Sequence, residues 1–117
     1  FLAAGWEVTH YNASLAPTRN ELDFAARCVN SADAAVFGTF QWAGEPYKTQ
    51  VNAVNKLLPD NKPSAVISLM SPYDIPFYGN AKNVLALYGV SRFSAAGAAN
   101  VLLGNVNPSG RLPVKFN

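Results

Sequence analysis

The stretch from Ala34 to Phe40 holds no charge and almost no polar side chain. A strand covered on both faces reads as a continuous apolar run, whereas a half-solvated strand alternates. Helical patterns flank it. Upstream, Leu22, Ala25, Ala26 and Val29 fall on one face with Phe24 and Cys28 beside it. Thr18 stands where a cap belongs, with Glu21 three residues later as its capping-box partner. Downstream, Tyr47, Val51, Val54 and Leu58 recur at helical spacing, and Glu45-Pro46 puts a proline near the first helical position.

After the break Pro59-Asp60-Asn61-Lys62-Pro63, the run Ser64–Met70 predicts a second buried strand. Ser71 to Tyr78 is a proline-punctuated loop or single helical turn, and Val84 to Tyr88 is a short strand. Ser91 can cap a last helix, with Ala95, Ala98, Ala99 and Leu102 on its face and Gly104 at its end. Two further segments alternate like edge or half-covered strands: Trp6–Tyr11, and Leu112–Phe116, whose proline an edge tolerates. Phe1 to Gly5 reads as the last turn of a helix. Strand and helix thus alternate with short links. The expected fold is a single α/β domain over residues 1–117, a three-layer open, mostly parallel sheet with helices on both faces.

A parallel strand is reached from an earlier one by a crossover, usually through a helix. Since Phe1–Gly5 supplies only a helix end, the pattern predicts a fragment without its first strand and helix. In flavodoxin-like sheets that first strand lies between the second and third. Trp6–Tyr11 would then have no direct partner at Ala34–Phe40, and an added strand or a partner chain would fill the gap.

Composition narrows the function classes. Only 14% of the 117 residues are charged, against roughly 25% in typical soluble domains, so part of the surface is expected to rest against something else. A net charge of +2 with no basic cluster leaves no footprint for nucleic acid. No apolar run approaches the roughly 20 residues of a membrane span. The single cysteine, Cys28, excludes an internal disulfide and a multi-cysteine metal site. A glycine-rich phosphate loop, a nucleophile elbow and metal-ligand spacing are all missing, so neither cofactor nor metal is implied.

Ligand crevices in open α/β sheets lie beyond the carboxyl ends of the strands. Two loops occupy that position, Gln41–Glu45 and Ser71–Asp74, and they supply Trp42, Glu45, Tyr73 and Asp74 as candidate substrate-binding residues. Trp42 suits stacking on a sugar, or else packing at an interface. Glu45 suits a general acid, or else a carboxylate favoured by a helix N-terminus. Tyr73 and Asp74 offer hydrogen bonds, or else an ordinary turn. His10 and Asp33 read as structural. No pair of carboxylates is placed by sequence for acid–base work, so no catalytic residue is assigned.

The run Val101-Leu102-Leu103-Gly104-Asn105-Val106-Asn107-Pro108-Ser109-Gly110-Arg111-Leu112-Pro113-Val114 resembles the signature near the end of the C-terminal domain of glycoside hydrolase family 3. Ser71-Pro72-Tyr73-Asp74 and Tyr88-Gly89 resemble the β-N-acetylhexosaminidase branch more than the β-glucosidases, and Ser31–Val36 followed by Gly38-Thr39 fits the same domain. The resemblance implies an N-terminal catalytic barrel in the same enzyme, as partner, and a carbohydrate substrate for the full-length protein. It also implies that the nucleophilic aspartate lies on that barrel. In the glucosidase-like branch a glutamate from a long loop of this domain is the acid; the loop ending at Glu45 is short and does not align with it. A rival reading is a free-standing α/β binding or dimerisation module, for instance a homodimer.

Overall fold

A computed structural model describes residues 1–116. Three parallel strands in the order β1-β2-β3 form its sheet: β1 (Ala35–Gln41), β2 (Ser64–Met70) and β3 (Val84–Ala86). Helix α1 (Arg19–Ser31) precedes β1, α2 (Lys48–Leu57) joins β1 to β2, and α3 (Arg92–Leu102) follows β3. A 3-10 segment, Pro72–Phe77, leaves the carboxyl end of β2. The expected α/β fold with a parallel sheet is the one observed, and β2 spans the residues its apolar run delimits.

The register places Val36 beside Ala65, Gly38 beside Ile67 and Phe40 beside Leu69 on one face, with Phe37, Thr39, Val66 and Ser68 on the other. Against the second face packs the core: Val51 and Val54 of α2, Val66 of β2 and Tyr78, joined by Phe37, Leu58 and Val84. Across the first face lies α3, whose Ala95 and Ala99 wall a cavity of about 420 Å³ with Gly38, Ile67, Leu69 and Leu87. The double cover expected for the first strand is therefore found at β2, where Ala65 and Val66 are both buried, and not at β1, where Val36 and Gly38 are exposed. Among the described residues β1 pairs only with β2 and so lies at the edge of the sheet.

Helix α1 begins as its sequence requires. Thr18 accepts from the Glu21 amide at 3.2 Å, and the Glu21 carboxylate accepts from the Thr18 amide at 2.7 Å, closing the capping box. Ser14 also donates to that carboxylate. The amides of Thr18 and then Ser14 hold the Glu21 carboxyl below its ordinary value of 4.5. A lowered carboxylate pKa stabilises the fold above that ordinary value and loses its effect as pH falls through the lowered one. Thr18→Ala should cost about 1 kcal/mol of stability at neutral pH. Urea denaturation measures this, and an unchanged midpoint would mean that the cap is dispensable.

Four expectations are corrected. Trp6–Tyr11 forms no strand and makes no backbone hydrogen bond to β1. Leu112–Phe116 bends at Pro113–Val114 and pairs with no strand among the described residues. Alternation alone does not make a strand; the backbone groups need a partner edge, and neither segment lies against one. β3 stops at Ala86, two residues before the expected Tyr88, whose φ of 56° is incompatible with a strand. Finally, α2 starts at Lys48 rather than at Glu45-Pro46. Gly44 turns left-handed (φ 82°) while the Gln41 side chain holds the carbonyls of Gly44 and Glu45, so the chain reaches helical geometry only after Tyr47.

Candidate functional site

The buried polar residues Thr39, Gln41, Gln50, Ser68 and Asp74 gather at the carboxyl half of the sheet. Thr39 and Ser68 are register partners on neighbouring strands, so their hydroxyls point to the same face. Into the space above them the 3-10 segment lowers Asp74, which is 0% exposed. Its Oδ2 accepts from Thr39 Oγ1 at 2.7 Å and from the Tyr78 hydroxyl at 3.3 Å, and its Oδ1 accepts from Ser68 Oγ. Ser68 Oγ also lies 2.8 Å from the carbonyl of Ser71. A carboxylate buried without a cation thus rests on three hydroxyls, the satisfaction that such burial demands. The phenol of Tyr78 is pushed above its ordinary value of 10, chiefly by burial and secondarily by the charge of Asp74.

Gln50, reaching from α2, extends this layer. Its Nε2 donates to the Phe40 carbonyl at 3.0 Å and its Oε1 accepts from the Phe40 amide at 2.9 Å. Gln41 Nε2 donates to Gly44 and Glu45, while its buried Oε1 has no partner among the described residues. The layer works as a clamp: it ties both loops beyond β1 and β2 to the sheet. The backbone above it is strained, because Met70 adopts φ 73° without being glycine. Such outliers persist only where their surroundings over-determine them.

What the clamp holds up is aromatic. Trp42 follows β1 and is 62% exposed, Tyr73 follows β2 at 51%, and Tyr88 follows β3 at 47%. Tyr73 and Asp74 are sequence neighbours with opposite fates, one ring turned to solvent and one carboxylate sealed inside. Asp74 is sealed from solvent in this arrangement and anchors the turn that displays Tyr73. Glu45 is exposed and lies three residues before Lys48, where α2 begins. No group of three His, Cys, Asp or Glu side chains is assembled for a metal ion among the described residues, and none of their helices is long and apolar enough to cross a membrane.

Of the four residues that sequence reasoning named, Trp42, Glu45, Tyr73 and Asp74, only Asp74 joins the buried layer, and Thr39, Ser68, Tyr78 and Gln50 were not named. One signal existed: Thr39 and Ser68 are the hydroxyls interrupting two apolar strands. A hydroxyl there needs a buried partner, and only the tertiary contact across 35 residues from Thr39 shows it to be Asp74.

The sequence pattern of the Glycosyl hydrolase family 3 C-terminal domain matches residues 5–117. A protein of Emericella nidulans named "Probable beta-glucosidase I" is 40% identical over 65 residues, covering 54% of this chain and 8% of its own length. A second relative, from Schizosaccharomyces pombe, carries the name beta-glucosidase with a similar qualification and is 27% identical over 108 residues, 82% of this chain and 13% of that protein. The chain thus spans about a tenth of these relatives. Among solved structures, a glycoside hydrolase family 3 β-N-acetylglucosaminidase from Paenibacillus sp. str. FPU-7 superposes with a TM-score of 0.84 at 21% identity, over 96% of this chain and 21% of that one.

Proposed function

Since this chain belongs to the Glycosyl hydrolase family 3 C-terminal domain family, we propose that it serves as the non-catalytic second domain of a β-glycosidase and packs on a catalytic barrel in the same enzyme. The match over residues 5–117 carries this reading. Two features of the chain support it: the carboxylate at the centre of the site is sealed from solvent, and the rings above it face outward. In this role the carboxyl edge of the sheet forms part of the rim of the sugar site, with Trp42 and Tyr73 offering ring faces to a pyranose and Glu45 offering a hydrogen-bond acceptor. The substrate is a β-linked glucoside or N-acetylglucosaminide, following the names carried by the relatives.

Assay of the full-length enzyme on aryl β-glucoside and aryl N-acetyl-β-glucosaminide tests this, with the 117-residue chain run alongside. Turnover confined to the full-length enzyme is expected. Turnover by the chain alone that vanishes on Glu45→Gln would overturn the non-catalytic assignment. In the full-length enzyme, Trp42→Ala should raise KM about three- to tenfold, the scale of one aromatic stacking contact, with little change in melting temperature. A large loss of stability at unchanged KM would make Trp42 a packing residue instead.

A further inference from the structure

Beyond the carboxyl end of β1, the start of α2 faces the end of the 3-10 segment. Between them Glu45, Pro46, Lys48, Val51, Asn52 and Phe77 line a pocket of about 210 Å³. Its walls are fixed to the fold. The Gln41 carboxamide holds the carbonyls of Gly44 and Glu45, and Val51 belongs to the core. Asn55, one turn further along α2, donates to the Phe77 carbonyl at 2.9 Å. The next residue, Tyr78, is buried and bonded to Asp74, whereas Phe77 is half exposed. A pocket held in this way is formed before its ligand arrives.

The lining decides what fits. Pro46, Val51 and Phe77 supply an apolar wall, Glu45 supplies an acceptor, and Lys48 and Asn52 supply donors. Those three polar residues are exposed and open to a ligand. Pockets for drug-sized ligands measure about 300–1,000 Å³, so this smaller one takes a single substituent with part of the ring that carries it. An acetamido group brings the matching set: an N–H for the carboxylate, a carbonyl for the ammonium or carboxamide, and a methyl for the apolar wall. A sugar hydroxyl would engage the polar groups but leave that wall against water. Burying the one methyl is worth about a fourfold gain in affinity.

We infer that the pocket between α2 and Phe77 binds the acetamido group of an N-acetylated amino sugar. The amide N–H donates to the Glu45 carboxylate, the carbonyl accepts from Lys48 or Asn52, and the methyl lies against Pro46, Val51 and Phe77. This inference rests on the proposed glycosidase role and narrows its two sugars to the N-acetylated one.

Hydrogen exchange of the full-length enzyme, read on peptides covering residues 44–52 and 75–80, tests it with N-acetylglucosamine as ligand and glucose and alanine as controls. At about ten times the dissociation constant of N-acetylglucosamine, both peptides should exchange about tenfold more slowly. Glucose at the same concentration should slow them less than half as much. The protection should vanish in Phe77→Ala and fall at least about threefold in Lys48→Met, which keeps a helix-favouring side chain of similar reach. Protection that survives in both variants would place the ligand elsewhere and overturn the inference. Equal protection by glucose would also overturn it, as would stronger protection by alanine, whose two charges suit Glu45 and Lys48 without any sugar. An enzyme that hydrolyses the aryl N-acetyl-β-glucosaminide while N-acetylglucosamine leaves these peptides unprotected would sink this inference alone. Protection in a protein with no glycosidase activity would sink the functional reading alone.

Discussion

Asp74→Ala should lower stability by about 3–5 kcal/mol, a large share of the roughly 5–15 kcal/mol that holds a domain together. The substitution removes an acceptor shared by three hydroxyls; Ser68 keeps the Ser71 carbonyl at 2.8 Å and Thr39 a weak contact of 3.5 Å to the Ile67 carbonyl, while all three hydroxyls lie deep in the fold. A hydrogen bond to a charged group contributes about 1.5–3 kcal/mol, and a buried donor left unpaired costs about 1–3 kcal/mol. Asp74→Asn keeps the shape and one acceptor oxygen but turns a donor toward one of the hydroxyls, so about half that loss is expected. Urea denaturation followed by tryptophan fluorescence distinguishes the two. A loss under about 1 kcal/mol for the alanine variant would mean that the 3-10 turn stands without its carboxylate anchor. In the full-length enzyme the asparagine variant should also raise KM, because the ring of Tyr73 is carried by the same turn.

Tyr78→Ala should be comparably damaging, by about 3–5 kcal/mol, because it empties the largest fully buried side chain of the core. Its ring, 2% exposed, fills the space between Val51, Val54 and Val66. Tyr78→Phe keeps that ring and gives up only the 3.3 Å bond to Asp74, so a loss of about 1 kcal/mol or less is expected. The pair also yields a pH signature. The folded state holds the phenol above its ordinary value of 10, so its contribution is complete below that value and is lost as pH rises through the raised one. Wild-type stability should therefore decline as pH climbs above 10, and the phenylalanine variant should lose part of that decline. Identical alkaline slopes would show that Tyr78 is not the group responsible.

Local chemistry was legible where it is self-sufficient. The Thr18–Glu21 box closes within four residues, and it starts α1 where the sequence places the start. The run Ser64–Met70, bounded by Pro63 and Ser71-Pro72, delimits β2 to the residue, since its prolines and apolar stretch leave no other register. Ser91 caps α3 through the amide of Ser94. The sequence by itself thus determined the alternating α/β plan, and through its tail motif the family.

Tertiary structure decided everything that depends on a distant partner. Trp6–Tyr11 has the pattern of a strand, but a strand is a relation between two edges, and none lies against it. Tyr73 and Asp74 read alike as polar loop residues. Only the placement of Thr39 and Ser68 beneath the turn shows which one is buried and which one faces the solvent. Gln50 reads as an ordinary helix residue until the fold sets it against Phe40, where its amide stands in for a strand. The physical reason is common to all three. Backbone periodicity and caps are satisfied within a few residues, whereas a buried polar group or an open strand edge also needs atoms that folding brings from far along the chain, as Thr39 comes to Asp74 across 35 residues and Gln50 to Phe40 across 10.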